Sequence, residues 1–537
     1  MSNVVTLTPP SASLAVGTTS ETKPVHKRIN KVGVLGAGTM GARIAAHFAN
    51  AGLPCVLLDM VPPDAAQGGD KAARNKIVAA GLEAALKSKP AAFFEKGLER
   101  LVTIGNFDDD IKLLADVDWI VEAVAENLEI KRALLKKVEA VRKPGSIVTT
   151  NTSGLPVHSI AEGFTEDFRR HWFGTHFFNP PRYMRLLEII PTPQTDPAAI
   201  ETVAHFGDHR LGKGVVAAKD TPNFIANRIG NFSGLNVFRV MQAMDLTIEE
   251  VDALTGSGGW TKAPLFRTID LVGLDVMVSV VKNFSRSVKD ERSDLKLPEF
   301  LEKMIERKLL GDKTKGGFYK KTKGPEGQEE RLAIDRKTLE YHPAEKPKFP
   351  LLEMAKNIED MGERLRAILG GDPRDKAAQF TWTTLSEMWT YSANRIPEIA
   401  DTVVEIDAAM RMGFNWEVGP FELWDLAGVD ETVARMKKEG KPVAPNAEKL
   451  LAAGGKSWYK DDPLAASGRA YFDLGTGHYQ PVEVPEGVWS VAVAKKSKGV
   501  VKKNAGASLI DLGDGVGCIE FHTKMNALGG DIVQMVS

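Results

Sequence analysis

Cysteine is nearly absent from this sequence: Cys55 and Cys518 are the only two in 537 residues. They lie far apart and match no metal-ligand spacing, which removes a cysteine-built metal site from consideration. So few thiols suit a reducing cytosol, and a cytoplasmic location is expected. Long apolar runs are also missing, and no stretch reaches the roughly 20 residues that a membrane-spanning helix needs. Charge of one sign is missing too. Lys and Arg number 69 against 70 Asp and Glu, a net −1, so nothing in the charge calls for nucleic acid or an anionic membrane surface. Residues 1–28 lack the charged start and apolar core of a secretory signal. They are rich in Ser, Thr and Pro and are expected to form a disordered tail.

What remains has the composition of a soluble globular protein, 43% hydrophobic and 26% charged, in a chain too long for one core. Three or more domains are expected. Within Lys31–Gly41, Val32, Val34 and Leu35 form a short buried strand, followed by Gly36, Gly38 and Gly41 in a G-x-G-x-x-G pattern. Met40, Ile44, Ala45 and Phe48 then recur at helical spacing, so the glycines occupy a strand-to-helix turn. Such a turn brings backbone N–H groups close to a pyrophosphate, which the helix N-terminus favours electrostatically. The next strand, Cys55–Leu58, ends in Asp59, at about the spacing of an acid that hydrogen-bonds an adenosine ribose 2′-OH. No Arg directly follows to take a 2′-phosphate, so NAD is favoured over NADP. The plainer alternative is an ordinary βαβ unit with a Gly-rich turn.

Residues 60–105 look like a basic helical hairpin. Each lysine there is either merely solvated or part of a surface for a phosphate-bearing substrate. Val117–Val121 is the next buried strand, and a helix begins after Glu122, within Glu122–Lys131. Ser146–Thr150 is another strand, ending in Asn151-Thr-Ser153-Gly154. In an open parallel sheet, ligands bind beyond the carboxyl ends of the strands. Gly36–Gly41, Asp59, Glu126 and Ser153 all follow such ends. A strand at Trp172–Phe178 and another at Leu186–Ile190 are joined by a proline turn, an arrangement able to set His176 beside Glu188. Histidine in an aromatic strand is commonly a core residue, and a carboxylate between Leu187 and Ile189 is costly unless paired. Each explains the other if they pair.

From Asp220 the pattern turns mostly helical, with Thr221 an expected N-cap, Pro222 the first helical residue and Asn227 within the helix. Residues 321–373 look like a linker, 457–506 like a connecting segment, and 507–537 like two strands around a Gly-Asp-Gly turn. The helical part contains a repeat. Ala226-Asn-Arg-Ile229 recurs as Ala393–Ile396, Val251-Asp-Ala253 as Ile406–Ala408, and Asp270–Asp275 as Asp425–Asp430. Trp260 and Pro264 recur as Trp416 and Pro420. Two such copies can pack as a pseudo-symmetric pair.

At Gly174-Thr-His176-Phe-Phe-Asn179-Pro180, with Glu188 beyond, the chain resembles the L-3-hydroxyacyl-CoA dehydrogenases. The likeness is nearest to the dehydrogenase part of bacterial multifunctional fatty-acid β-oxidation proteins and covers roughly residues 30–455. The resemblance implies a Rossmann dinucleotide-binding α/β domain over 29–216. It also implies a duplicated all-α dehydrogenase domain, with copies at 217–320 and 374–456. It casts His176 as catalytic base, Glu188 as its partner, and Ser153 and Asn227 as holders of the substrate oxygen. It makes Gly36, Gly38, Thr39, Met40, Gly41, Asp59, Glu126, Lys131, Asn179 and Lys313 the NAD contacts. It places Lys71 and Lys76 near coenzyme A, a looser match. Ala263-Pro-Leu-Phe-Arg267 departs from the family's Gly-Pro-Phe-Glu, which the second copy keeps at Gly419–Glu422.

Oxidising a 3-hydroxyl removes a hydride from carbon and a proton from oxygen. The cofactor accepts the first, and the protein must take the second. Histidine titrates near neutrality and serves both directions. No metal is called for. The implied partners are an acyl-CoA substrate, thiolase or hydratase proteins of β-oxidation, and a second copy of the chain. Residues 507–537 resemble the opening strands of a crotonase-type hydratase domain that is truncated here, so no hydratase activity is expected. Two rival readings are a short β-hydroxyacid dehydrogenase with a catalytic Lys and a silent NAD-binding scaffold of a β-oxidation complex. The His176–Glu188 pair opposes the first, and the full polar set opposes the second.

Overall fold

The computed structural model describes residues 27–257, 261, 263–323, 328–484, 488, 490–497 and 499–537. Of the expected tail, 1–28, only Lys27 and Arg28 are among them.

Eight strands form one sheet in the order β3-β2-β1-β4-β5-β6-β7-β8. They are β1 Val32–Leu35, β2 Cys55–Asp59, β3 Val102–Asn106, β4 Trp119–Glu122, β5 Ile147–Thr150, β6 Trp172–Phe177, β7 Leu186–Pro191 and β8 Gly214–Ala217. All neighbours run parallel except β6 and β7. Strands of this kind are covered on both faces, hence their near-continuous apolar runs. On one face Val32, Val34, Leu57 and Trp119 pack with Phe48 of the helix Thr39–Asn50. On the other, Val56, Leu58, Ile120 and Val148 pack with Leu134, Leu135 and Val138 of the helix Leu128–Val141. That second core runs without a break into the helical region.

Strand β3 was not among the expected elements. Only a short stretch separates it from the expected helices, it holds Gly105, and Thr103 is exposed, so its apolar signal is weak. The expected helical hairpin at 60–105 is one turn, Lys71–Arg74, followed by a single longer helix, Lys76–Leu86, packed on the helix Thr39–Asn50.

The duplication is real and longer than the motifs suggested. Asp252 accepts the Phe266 N–H at 2.7 Å and the Tyr319 hydroxyl at 2.9 Å; Asp407 accepts the Phe421 N–H and the Tyr459 hydroxyl, each at 2.8 Å. Asp270 accepts the Phe318 and Tyr319 N–H groups at 2.8 Å, as Asp425 does those of Trp458 and Tyr459 at 2.7 and 2.8 Å. Each copy therefore ends in a three-stranded antiparallel meander held to its helices by two aspartates, all four buried except the half-buried Asp425. The first is β9 Tyr319–Lys323, β10 Glu329–Ile334 and β11 Tyr341–Pro343; the second is β12 Tyr459–Asp461, β13 Arg469–Asp473 and β14 His478–Pro481. This corrects both the linker at 321–373, which also carries helices Pro350–Ala355 and Met361–Leu369, and the connecting segment at 457–506. Their strands are half exposed and carry many charges, which hid them.

One recurrence is not a structural equivalence. Ala226–Ile229 opens the helix Ala226–Ala243, whereas Ala393 closes the helix Lys376–Asn394. These two helices nonetheless pack together, with Phe232 stacked on Tyr391 at 3.8 Å. Arg228 and Arg395 converge on Asp290, at 2.9 and 3.3 Å, and on Glu398, at 2.8 and 2.7 Å. Pro264 and Pro420 both stand at helix starts; Trp260 lies outside the described residues. At the departure from the family pattern, Arg267 lies 5.4 Å from the Tyr319 ring, while in the second copy Arg469 covers Tyr459 at 3.9 Å and pairs with Glu422 at 2.8 Å.

At the end of the chain, β15 Val500–Lys503, β16 Ala507–Gly513 and β17 Val516–Phe521 form a third small sheet, one strand more than expected. The helix Gly530–Val536 packs Ile532 and Met535 on Ala507.

Candidate active site

The glycine turn has the shape that a dinucleotide requires. Gly36 adopts φ 96°, and a Cβ there would meet the Ala123 carbonyl at 2.6 Å. A Cβ on Gly41 would lie 1.8 Å from the Gly36 carbonyl, so only glycine lets this helix start so close to β1. Gly38 is exposed, and nothing lies within 4 Å of where its Cβ would stand. That open face, above the N-terminus of the helix Thr39–Asn50, leaves room for a pyrophosphate. Asp59 at the end of β2 accepts the Ala37 N–H and the Met60 N–H, each at 2.6 Å, which sets its carboxylate against the turn. Thr39 and Met40 are the first helical residues beyond the turn. These residues fit NAD.

On the other side of β1, β4 delivers a buried ion pair. Glu122 and Lys131 are 0% and 1% exposed, 2.7 and 2.9 Å apart at the two carboxylate oxygens. Glu122 also accepts the Val124 N–H and the Thr150 hydroxyl, both at 2.7 Å. Lys131, expected among the NAD contacts, has its ammonium between Glu122 and Glu126, the latter at 3.3 Å, and it borders the cavity between the dinucleotide and helical regions. It therefore orients Glu126. Burial works to raise the Glu126 carboxyl, but the Lys131 ammonium, the Thr152 hydroxyl and the Gly154 N–H outweigh it and hold the group below its ordinary value. Glu126 accepts the N–H groups of Ser153, Gly154 and Leu155 at 3.2, 2.9 and 3.3 Å, and so shapes the turn that carries Ser153.

Strands β6 and β7 place His176 directly opposite Glu188. His176 Nδ1 lies 2.7 Å from Glu188 Oε2, and both residues are buried. Phe178 and Phe224 meet the imidazole edge-on, with centroids 4.6 and 5.5 Å away. Glu188 Oε1 accepts the N–H groups of Ile225 and Ala226 at 3.2 and 2.8 Å. This corrects the expected helix start. Asn223 and Phe224 have φ 65° and 48°, so the helix begins at Ala226, and Glu188 rather than Thr221 serves its free N–H groups. Asn227, the second helical residue, follows directly on Ala226, whose N–H Glu188 holds, and is half-buried.

The cleft between the two regions holds a cavity of about 270 Å³ lined by Met40, Glu126, Asn151, Ser153, Ser279 and Asn283 among others. Ser279 and Asn283 come from the helix Leu274–Ser287. Lys313 pairs with Asp275 at the N-terminal end of that same helix. Asn179 is exposed past β6 and accepts from Arg43 at 3.5 Å. Lys71 and Lys76 are exposed on the surface helices after β2. A larger hollow of about 390 Å³, between β12–β13 and the helix Val491–Ser497, is lined by none of these residues.

Sequence reasoning missed Glu122, Asn151 and Asn283. Asn151 accepts the Phe177 N–H at 2.8 Å and ties β5 to β6. Glu122 and Asn151 had a usable signal, since each stands at the carboxyl end of a parallel strand. Asn283 had none.

The family model described as the 3-hydroxyacyl-CoA dehydrogenase NAD binding domain matches residues 31–221. The model of the C-terminal domain of the same family matches residues 224–321 and again 381–456, one segment in each copy of the repeat. The chain is similar to a probable 3-hydroxyacyl-CoA dehydrogenase of Bacillus subtilis, with 41% identity over 522 residues, covering 95% of this chain and 65% of that protein. A second protein of that description, from Deinococcus radiodurans, is 48% identical over 297 residues, covering 55% of this chain and 84% of the relative. The chain thus spans slightly less than two thirds of the Bacillus protein. The crystal structure of 3-hydroxybutyryl-CoA dehydrogenase from Escherichia coli K12 superposes with a TM-score of 0.57 at 22% identity, over 80% of this chain and 100% of that one, a likeness of fold. With both domains matched in order, this chain belongs to the 3-hydroxyacyl-CoA dehydrogenase family.

Proposed function

We propose that this protein catalyses the NAD-dependent oxidation of L-3-hydroxyacyl-CoA to 3-oxoacyl-CoA, a step of fatty acid β-oxidation. The observation that carries the reading is the buried His176–Glu188 pair, with Nδ1 committed to the carboxylate at 2.7 Å. The other ring nitrogen, Nε2, is then the proton acceptor. When bound, NAD supplies the hydride acceptor. His176 takes the proton of the 3-hydroxyl as the carbonyl forms, and returns it in the reverse direction. Glu188, held by two N–H groups, orients the imidazole and stabilises the imidazolium. Ser153 and Asn227 hold the oxygen while negative charge develops on it.

Gly36, Gly38, Thr39, Met40, Gly41, Asp59, Glu126, Lys131, Asn179 and Lys313 hold the cofactor in this reading, and Lys71 and Lys76 meet coenzyme A. The dinucleotide domain spans 29–216, and the helical copies follow, each extended by its meander. No helix among the described residues is long and apolar enough to cross a membrane. The reading carries with it a cytoplasmic location, thiolase or hydratase partners, and a homodimer.

The test is NADH oxidation by the purified chain with acetoacetyl-CoA and longer 3-oxoacyl-CoA substrates. Steady turnover is expected. Protein that binds NADH and reduces none of them overturns the proposal.

A further inference from the structure

A Cβ placed on Gly154 would lie 2.0 Å from Asn283 Nδ2 and 2.8 Å from its Cγ. The Asn283 side chain thus occupies the space that a side chain at 154 would fill. Gly154 belongs to the turn after β5 and Asn283 to the helix Leu274–Ser287, so this fit joins the dinucleotide domain to the first helical copy. Asn283 is half-buried and lines the cavity with Ser153, Glu126 and Met40. Its carboxamide makes no hydrogen bond among the described residues, while Ser287 one turn further on is fixed by the Asn223 amide at 3.1 Å. The helix is therefore held in place while the Asn283 donors and acceptor face the cavity unsatisfied.

Sheet order decides which ligand group they meet. Asp59 follows β2, on one side of β1; Glu126 and Ser153 follow β4 and β5, on the other. A dinucleotide lies across that reversal point, with its adenosine towards the β2 acid. We infer that Asn283, admitted by the absent side chain of Gly154, hydrogen-bonds the nicotinamide–ribose half of NAD and positions it in the cleft. This rests on the function proposed above and adds to it a residue from the helical copy. The carboxamide suits that half, whose polar groups are hydroxyls and an amide.

The experiment is a titration of NADH, by its fluorescence, into the wild-type chain, Gly154→Ala, Asn283→Ala and the double variant, with melting temperatures recorded on the same samples. One lost neutral hydrogen bond predicts ~3- to 10-fold weaker NADH binding in each single variant. The double variant should bind no more weakly than Asn283→Ala, because the methyl at 154 acts only by displacing an amide already removed. ADP, which carries only the adenosine half, should bind all four proteins equally. Unchanged NADH affinity in Asn283→Ala, with wild-type binding intact, overturns this inference alone, even if the KM for acetoacetyl-CoA rises. An equal loss for ADP also overturns it. A wild-type chain that binds no NADH overturns the proposed function and this inference with it.

Discussion

His176 Nδ1 and Glu188 Oε2 stand 2.7 Å apart across the β6–β7 ladder, and the second oxygen of that carboxylate holds the first free N–H groups of the helix that carries Asn227. One carboxylate therefore does two things. It sets which imidazole nitrogen is free, and it fixes the start of the helix that carries Asn227, the residue proposed to hold the substrate oxygen.

His176→Gln should lower turnover about a hundredfold or more, the scale of lost general acid–base catalysis. NADH affinity should stay within about twofold, because the residue lies outside the glycine turn and the Asp59 end of the site. Steady-state kinetics together with an NADH titration check both halves. Full turnover would remove His176 from the role of base.

Glu188→Gln should do less harm than His176→Gln. The amide still accepts from the Ala226 N–H, so the helix start survives, but its NH2 faces Nδ1 and favours the tautomer whose Nε2 carries hydrogen. The loss should fall on kcat rather than KM. Steady-state kinetics of the variant beside His176→Gln decide it.

Asp59→Ala should weaken NAD binding and narrow the preference for NAD over NADP. The carboxylate that accepts the Ala37 N–H at 2.6 Å is the group placed to favour a free ribose hydroxyl over a phosphate. The ratio of kcat/KM for the two cofactors is the readout. A wild-type protein that prefers NADPH contradicts the argument.

Lys131→Met should destabilise the protein by about 3–5 kcal/mol, the cost of leaving a buried carboxylate without its cation. Glu122 would keep only the Val124 N–H and the Thr150 hydroxyl. Urea unfolding measures the loss, and adding Glu122→Gln should recover part of it. A loss confined to NADH binding, with stability unchanged, would show that Lys131 serves the cofactor and not the fold.

Lys213 gives a pH dependence. It is buried, it donates to the Pro181 carbonyl and, at 3.0 Å, to that of Met184, and burial lowers its pKa to about 7. A base whose pKa falls on folding binds fewer protons when folded. Its contribution is therefore fully present above the unfolded value near 10.5 and is lost as pH falls through about 7. The difference in denaturation midpoint between wild type and Lys213→Met should grow in favour of wild type from pH 7 to 10. A flat difference would show that the amine stays charged in the folded protein throughout this range.

Much of this was legible in order of residues alone. The glycine turn, the Asp59 that ends β2 and the helix after the turn are local patterns, set by periodicity and by which residues tolerate a tight bend. The opposition of His176 and Glu188 was legible because both lie in one strand–turn–strand unit, where register follows from a short connection. The aspartates at 252, 270, 407 and 425 showed a repeat because they recur in the same order. The meanders they anchor stayed hidden, because strands as charged as Tyr319–Lys323 carry little apolar alternation.

Tertiary structure alone decided the rest. That Lys131 pairs with a fully buried Glu122 at the edge of the cavity could not be read from the sequence, since desolvation depends on what packs around a side chain and not on its neighbours in sequence. The helix start moved from Thr221 to Ala226 because a carboxylate from β7 outcompeted the local cap. The fit of Asn283 into the space above Gly154 has no trace in either segment by itself. Short-range order is encoded where the chain bends and alternates; burial, pairing and the filling of a missing side chain's volume are properties of segments that meet only after folding.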